Sequence, residues 1–271
     1  MQVIRFFFSN FAQTLNSQLS TMNYKLDIHT HTIASGHAYS TLQEMAMAAS
    51  EKGLEILGIT DHASSIPGSV RPVYFRNTHV IPREMYGVRL LIGAELNILD
   101  TQGTLDLEPF YYRLMDVRIA GIHKFCWSGG TPSQNTDGMI AAIENQWTDI
   151  IAHPGDGTCQ LLFEPIVDAA YRTGTLLELN SSSLRPIRNK PDAVSNNLEI
   201  LRLCKKRDMP VILGSDAHIS FDIANYQYAL PLLKEADFPD ELIVNDKPDL
   251  FFQILDKGVE RFYTRVPDSP Y

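Results

Sequence analysis

The chain has 271 residues, a formal net charge of −9 and 44% hydrophobic residues. That length is ordinary for one α/β barrel, and that composition supports a sizeable core. The acidic balance argues against a general binder of nucleic acid or of a membrane surface, but it leaves room for an anionic substrate, because bound metal ions can reverse the field locally.

Residues 1–22 carry a short aromatic run, Phe6 to Phe8, but neither the apolar core nor the small-residue cleavage site of a signal peptide. They read as a peripheral N-terminal extension, and residues 23–271 as a single domain. No apolar run is long enough to span a bilayer. The cysteines are Cys126, Cys159 and Cys204. An odd count without C-x-x-C reads as reduced, inert thiols in a cytoplasmic protein.

The first strand is expected over Tyr24 to His29, and it leads into D-I-H-T-H-T-I-A-S-G-H. His29 and His31 are two apart, a spacing that puts both imidazoles on one face of a strand, and His37 follows after a short loop. A helix is expected over Ser40 to Lys52, with Ser40 and Gln43 as a capping box and Gly53 closing it. Short apolar runs then predict strands over Ile56 to Thr60, Leu90 to Leu96, Val117 to Ile122, Asp149 to Ala152, Leu176 to Leu179 and Val211 to Gly214. Helical patterns over Thr136 to Gln146, Glu164 to Arg172 and Asp192 to Lys206 separate them. Two more, near Tyr228 to Glu235 and Lys247 to Asp256, close the chain. Strands that are apolar throughout and alternate with helices indicate a parallel sheet covered on both faces.

The polar residues at the strand ends follow one rule. His29, His31, His37, His62, Glu95, His123, His153, Asp216 and His218 all sit at the carboxyl end of a strand or just beyond it. In an α/β barrel that end builds the active site. An open doubly wound sheet would concentrate such residues at one switch point. Candidates from six strands meet only in a closed or nearly closed barrel, here a (β/α)7 barrel. Seven of the eight histidines obey the rule, and only His79 lies in a long loop. Nine candidate ligands are too many for one ion and suit three, with a carboxylate bridging two. Imidazole with carboxylate is compatible with zinc, manganese or iron.

The series H-x-H with a third His after five residues, T-D-H, G-x-E, G-x-H, H-P and S-D-x-H, in that order, resembles the PHP (polymerase and histidinol phosphatase) family. H-A-Y-S-T-L after His37 and the strand L-E-L-N-S-S-S resemble its YcdX-like stand-alone phosphatase branch. The resemblance covers Tyr24 to the C-terminus. It implies a distorted (β/α)7 TIM-like barrel with a trinuclear centre. His29, His31, Glu95 and Asp216 would hold the first metal. Glu95 would bridge to a second, also held by His123 and His153. His37, His62 and His218 would hold the third.

Such a centre implies hydrolysis of a small phosphate monoester by metal-activated hydroxide. Asp61 is the nearest candidate for a general acid, although a role supporting the ligands from behind His62 is the stronger reading, and Glu178 and Asn180 are in register to give the same support. Lys124, Arg71, Arg76 and Arg185 are candidate substrate contacts, and Arg188 and Lys190 share the loop of Arg185. The alternatives are a nuclease-type phosphodiesterase, for which the chain lacks a basic track, and an amidohydrolase, which needs fewer metals than this ligand set offers.

Overall fold

The computed structural model describes residues 24–127 and 129–256. Seven parallel strands form the barrel wall: β1 (Leu26–Asp27), β2 (Ile56–Ile59), β4 (Val88–Asn97), β5 (Val117–Gly121), β6 (Ile150–Ile151), β7 (Leu176–Asn180) and β8 (Val211–Gly214). They pair in that order. The short β3 (Glu84–Met85) adds an antiparallel edge to β4, which the sequence reading lacks. Its two residues are too few and too polar to show an apolar run. The barrel strands are buried along nearly all their length, as strands covered on both faces must be.

The helices α1 (Leu42–Glu51), α4 (Pro132–Glu144), α5 (Phe163–Thr173) and α6 (Ala193–Lys205) form the main outer layer. Shorter helices are α2 (Val73–Arg76), α3 (Pro109–Tyr112), α7 (Leu230–Glu235) and α8 (Pro248–Leu255). The expected capping box of Ser40 and Gln43 moves one residue on, to Thr41 and Glu44. Ser40 instead turns inward, buried, and its hydroxyl accepts from the Ser220 backbone. Helix α4 begins at Pro132, not Thr136, because Thr131 and Gln134 form a second capping box. Strand β1 is shorter than expected, since the backbone leaves regular pairing after Asp27.

Between β1 and β8, where an eighth strand would stand in a full barrel, the seam is closed in two ways. Near the top, Thr30 and Ala217 form a parallel bridge, and His31 N donates to Ala217 O at 2.9 Å. Lower down, the Asn245 side chain fills the gap. Its Nδ2 donates to Leu26 O (3.1 Å) and Leu213 O (2.9 Å), and its Oδ1 accepts from Leu213 N (2.7 Å). One amide side chain thus satisfies backbone groups that a neighbouring strand would otherwise pair.

Strand periodicity then sets the site. On β7, Leu176 lies two residues before Glu178 and four before Asn180. On β5, Val117 and Ile119 share a face with Gly121 and, beyond the strand, His123. Leu176, Val117, Ile119, Leu26 and Ile212 pack in an apolar cluster with Phe251 and Leu255 of α8. That cluster is the lower core, and the polar residues lie higher on the same strands. No helix among the described residues is long and apolar enough to cross a membrane.

Candidate metal centre

All nine expected ligands converge at the carboxyl end of the barrel. Glu95, 1% exposed, is at the centre. Its Oε1 is 3.0 Å from His123 Nε2 and 2.9 Å from His153 Nε2. Its Oε2 is 2.8 Å from His62 Nδ1, 3.3 Å from His29 Nε2 and 3.5 Å from His31 Nε2. Asp216 Oδ1 approaches His31 Nε2 at 3.3 Å, His218 Nδ1 at 3.3 Å and His29 Nε2 at 3.7 Å. His37 Nε2 and His218 Nε2 are 3.0 Å apart. Three overlapping sets have donor atoms within 4.8 Å of one another: His29, His31 and Asp216; His31, His62 and His218; His62, Glu95 and His123.

The partners on the far side of each ring fix its tautomer. Ser35, fully buried, donates its hydroxyl hydrogen to Asp61 Oδ1 at 2.7 Å. The Ser35 oxygen accepts from His62 N at 3.0 Å and lies 3.0 Å from His31 Nδ1. With its own hydrogen committed, it can only accept from Nδ1–H, which leaves the His31 Nε2 lone pair facing the cavity. The His29 Nδ1–H donates to Glu178 Oε1 at 2.7 Å. The His37 Nδ1–H donates to Ser35 O at 3.1 Å, and the His218 Nδ1–H to Asp216 O at 3.0 Å. Four imidazoles are therefore held with Nε2 as the free donor, the arrangement that orients metal-binding histidines.

Four of the inward-facing atoms lie close to one another yet form no hydrogen bond within the protein. His29 Nε2, His31 Nε2, His62 Nδ1 and Glu95 Oε2 are buried and accept or donate no hydrogen bond. Buried polar atoms almost always have a partner, and leaving one without costs about 1–3 kcal/mol. Four such atoms around one point fit divalent cations. The donor set holds imidazole and carboxylate but no thiolate, which suits zinc, manganese or iron.

Charge is arranged accordingly. Burial works to raise the Glu95 carboxyl, but the imidazoles of His29, His123 and His62 outweigh it and hold it well below the usual carboxylate range. Asp216 is likewise held well below its usual range, with burial opposed by His29, His31 and His218. Burial, reinforced by neighbouring imidazoles, lowers His31 far below the normal histidine range, and His37 less so. His29 moves the other way. Burial disfavours its charged form, but Glu178, Glu95 and Asp216 together push its pKa well up. Two candidate ligands, His153 (φ 34°) and Asp216 (φ 52°), have backbones in the left-handed region. Such strain at non-glycine residues persists where the surroundings demand it.

The supporting carboxylates act at one remove. Asp61 is 1% exposed and accepts from Thr32 N (2.7 Å), Thr32 Oγ1 (2.8 Å), Ser35 Oγ (2.7 Å) and Tyr74 Oη (2.9 Å). With four donors around it and no part in the cavity lining, it ties down the loop that carries His31 and His37. This geometry favours the supporting role over that of a general acid. Glu178 joins His29 to β6: its Oε2 accepts from His153 N at 2.7 Å and from Asn180 Nδ2 at 3.1 Å. It ties His29, the His153 backbone and Asn180 together.

The ligands open into a cavity of about 570 Å³. Lys124 lines it, with Phe125, Asp156, Arg188 and Lys190. The other expected substrate contacts lie elsewhere. Arg185 turns to Asp222, with Nη2 2.8 Å from Oδ1, and its guanidinium is 5.8 Å from the Tyr228 ring centre. Arg71 and Arg76 line a separate groove within residues 70–81, and Arg76 lies 6.0 Å from the Phe110 ring centre. Proximity to a strand end was a poor guide to Arg185, because Asp222, in the loop that follows β8, captures it. Sequence reasoning passed over Ser35 and Asp156. The signal for Ser35 was its position within the H-x-H loop, between His31 and His37.

Comparison with known proteins agrees with this geometry. Residues 27–182 match the PHP domain family. A probable phosphatase of Clostridium novyi (strain NT) is 42% identical over 238 residues, spanning 88% of this chain and 97% of that protein. A probable phosphatase of Acetivibrio thermocellus is 40% identical over 240 residues, spanning 89% and 98%. The chain belongs to the PHP domain family, and its relatives set it among the phosphatases, hydrolases of phosphate esters. In fold it is similar to the histidinol phosphate phosphatase of Lactococcus lactis, crystallised with zinc, L-histidinol and phosphate. That similarity has a TM-score of 0.55 at 17% identity, covering 80% of this chain and 95% of the other.

Proposed function

We propose that this protein hydrolyses small phosphate monoesters at a centre of three divalent ions, which we assign as zinc. The observation that carries this reading is the set of buried donor atoms without partners around Glu95. His29, His31 and Asp216 with Glu95 Oε2 would hold one ion. Glu95 Oε1 with His123 and His153 would hold a second. His37, His62 and His218 would hold the third. The two oxygens of Glu95 already face different groups of histidines, as a bridging carboxylate must.

Bound there, divalent ions supply Lewis-acid stabilisation of the phosphoryl oxygens and acidify the attacking water. The chain's own residues supply the rest. Glu178 and Ser35 keep the His29 and His31 lone pairs aimed inward. Asp61 keeps the first loop closed around Ser35. The cavity walls orient the ester above the ligand floor, and Lys124, Arg188 and Lys190 line its open side. Zinc and phosphate in the similarly folded Lactococcus protein support the reading.

The test is phosphate release from a panel of monoesters by the wild type and by His123→Ala. The variant is expected to keep its fold by circular dichroism and to lose turnover by roughly 100-fold or more. Retained turnover in the variant contradicts the assignment.

A further inference from the structure

The rim of the cavity carries charge that the ligand floor does not account for. Two loops build it, one after β5 and one after β7. Lys124 directly follows His123, while Arg188 and Lys190 lie beyond Asn180. Apart from Glu95 and Asp216 on the floor, the carboxylate on the lining is Asp156. That group is taken: Lys190 Nζ bonds to it, Thr158 N donates to it at 2.8 Å, and Thr158 Oγ1 at 2.7 Å. Lys124 has no hydrogen-bond or ion-pair partner among the described residues. Arg188 spends one N–H on Ser182 Oγ at 2.9 Å and keeps the rest of its five donors. Two unneutralised cations thus face one cavity in a chain whose net charge is −9.

Their height in the cavity says what they meet. The phosphoryl group being hydrolysed belongs at the floor, among the histidines. Lys124 and Arg188 are exposed side chains at the mouth. They reach the part of the ester that projects outward, which is the leaving alcohol. Phe125, 78% exposed, stands beside Lys124 on the same lining.

Resting on the phosphatase reading above, we propose that the substrate is a phosphate monoester whose alcohol part bears a second anionic group, and that Lys124 and Arg188 bind that group. A carboxylate and a second phosphate share the required chemistry, since both accept charge-assisted hydrogen bonds from lysine and arginine. The reaction is hydrolysis. The oxygen of water bonds to phosphorus, and the ester P–O bond breaks. Its electron pair stays on the alcohol oxygen, which takes a proton. The products are inorganic phosphate and an anionic alcohol. An alcohol bearing an ammonium group would meet like charge at the rim and is disfavoured.

The experiment compares kcat/KM on the metal-loaded protein. The substrates are fructose 1,6-bisphosphate (second phosphate), 3-phosphoglycerate (carboxylate), fructose 6-phosphate (no second anion), phosphoethanolamine (ammonium) and p-nitrophenyl phosphate. One or both doubly anionic esters are expected to exceed fructose 6-phosphate by roughly 10–100-fold, and the better of the two names the second group. The advantage should shrink as salt rises. In the double variant Lys124→Ala/Arg188→Ala the ratio of doubly anionic ester to fructose 6-phosphate should fall to near one. Lys124→Glu should move preference toward phosphoethanolamine, and thermal unfolding checks that both variants are folded. Hydrolysis of p-nitrophenyl phosphate with no preference for a second anion overturns this inference alone. No hydrolysis of any of these esters overturns the phosphatase reading and this inference with it.

Discussion

The carboxylate of Glu178 occupies the space that a side chain on residue 214 would fill. A Cβ at Gly214 would lie 1.6 Å from Glu178 Oε1 and 2.6 Å from its carboxyl carbon. That same Oε1 is the acceptor for His29 Nδ1. The glycine before Ser215 and Asp216 is therefore what admits the carboxylate under His29. Gly214→Ala is expected to displace Glu178, cost about 1–3 kcal/mol of stability and weaken metal binding or turnover by about 10–100-fold. Metal affinity by competition with a chromophoric chelator measures it. Wild-type affinity in the variant contradicts this role for Glu178.

Ser35 offers a second test of positioning. Its oxygen is shared by His31, His62 and Asp61. Ser35→Ala removes the acceptor that fixes the His31 tautomer and leaves the His62 N–H without its partner. The expected result is a loss of metal affinity of about 10–100-fold, partly restored in Ser35→Thr, which keeps the hydroxyl. Equal metal content and affinity in wild type and Ser35→Ala would show that Nδ1 needs no partner here.

The thiols should be inert near neutral pH. Burial is the main cause that raises Cys126 and Cys159 to about 11, and Cys204 to about 12. The reactive form is the thiolate, so at pH 7.5 on the order of one thiol in a few thousand is competent. Iodoacetamide is expected to label the folded protein slowly. The rate should rise about tenfold per pH unit up to about pH 11, because deprotonation gains as pH approaches the raised value. Rapid labelling of any of the three at pH 7.5, followed by peptide mapping, would contradict this.

Chelation should loosen the fold as well as stop turnover. Ions that bind the folded state alone stabilise it by about 2.7 kcal/mol at a hundred times their Kd. For a chain of this size that is roughly 5–10 °C in Tm. Thermal unfolding before and after chelator treatment reads the difference, and re-addition of zinc or manganese should restore it. An unchanged Tm after complete metal removal would mean that the clustered imidazoles need no counterpart.

Residues 1–22 are proposed as peripheral because every ligand, and the first barrel strand at Leu26, lies after them; the extension itself falls outside the described residues. A chain starting at Met22 is expected to keep wild-type turnover and Tm. Loss of either would assign the segment a part in the barrel.

The clustering of the candidate ligands was legible in the sequence because a barrel puts its chemistry at strand ends. H-x-H, T-D-H and S-D-x-H could be read from position and residue type, without side-chain geometry. The barrel class followed from βα alternation. What stayed hidden depends on contacts between segments distant in sequence. The Asn245 amide completes β1 and β8 from more than 30 residues beyond the latter, and nothing local marks it. Nearness to a strand end favours Arg185 over Arg188, and only the fold brings Asp222 beside Arg185 to pair with it. The Ser40–Gln43 box gives way to Thr41–Glu44 by one residue, since both spacings satisfy the same pattern and the distant partner Ser220, which takes the Ser40 hydroxyl, decides between them. Asp61, next to His62 in sequence, turned out to serve the loop of Ser35 rather than the cavity.

The central claim is that nine residues hold three ions which this chain needs to hydrolyse a phosphate ester. The direct measurement is paired on one preparation: bound metal per chain by elemental analysis, and p-nitrophenyl phosphate hydrolysis before and after chelation. The account predicts about three ions per chain, with activity lost on chelation and regained with zinc or manganese. One or two ions at full activity, or hydrolysis that survives complete metal removal, would contradict it.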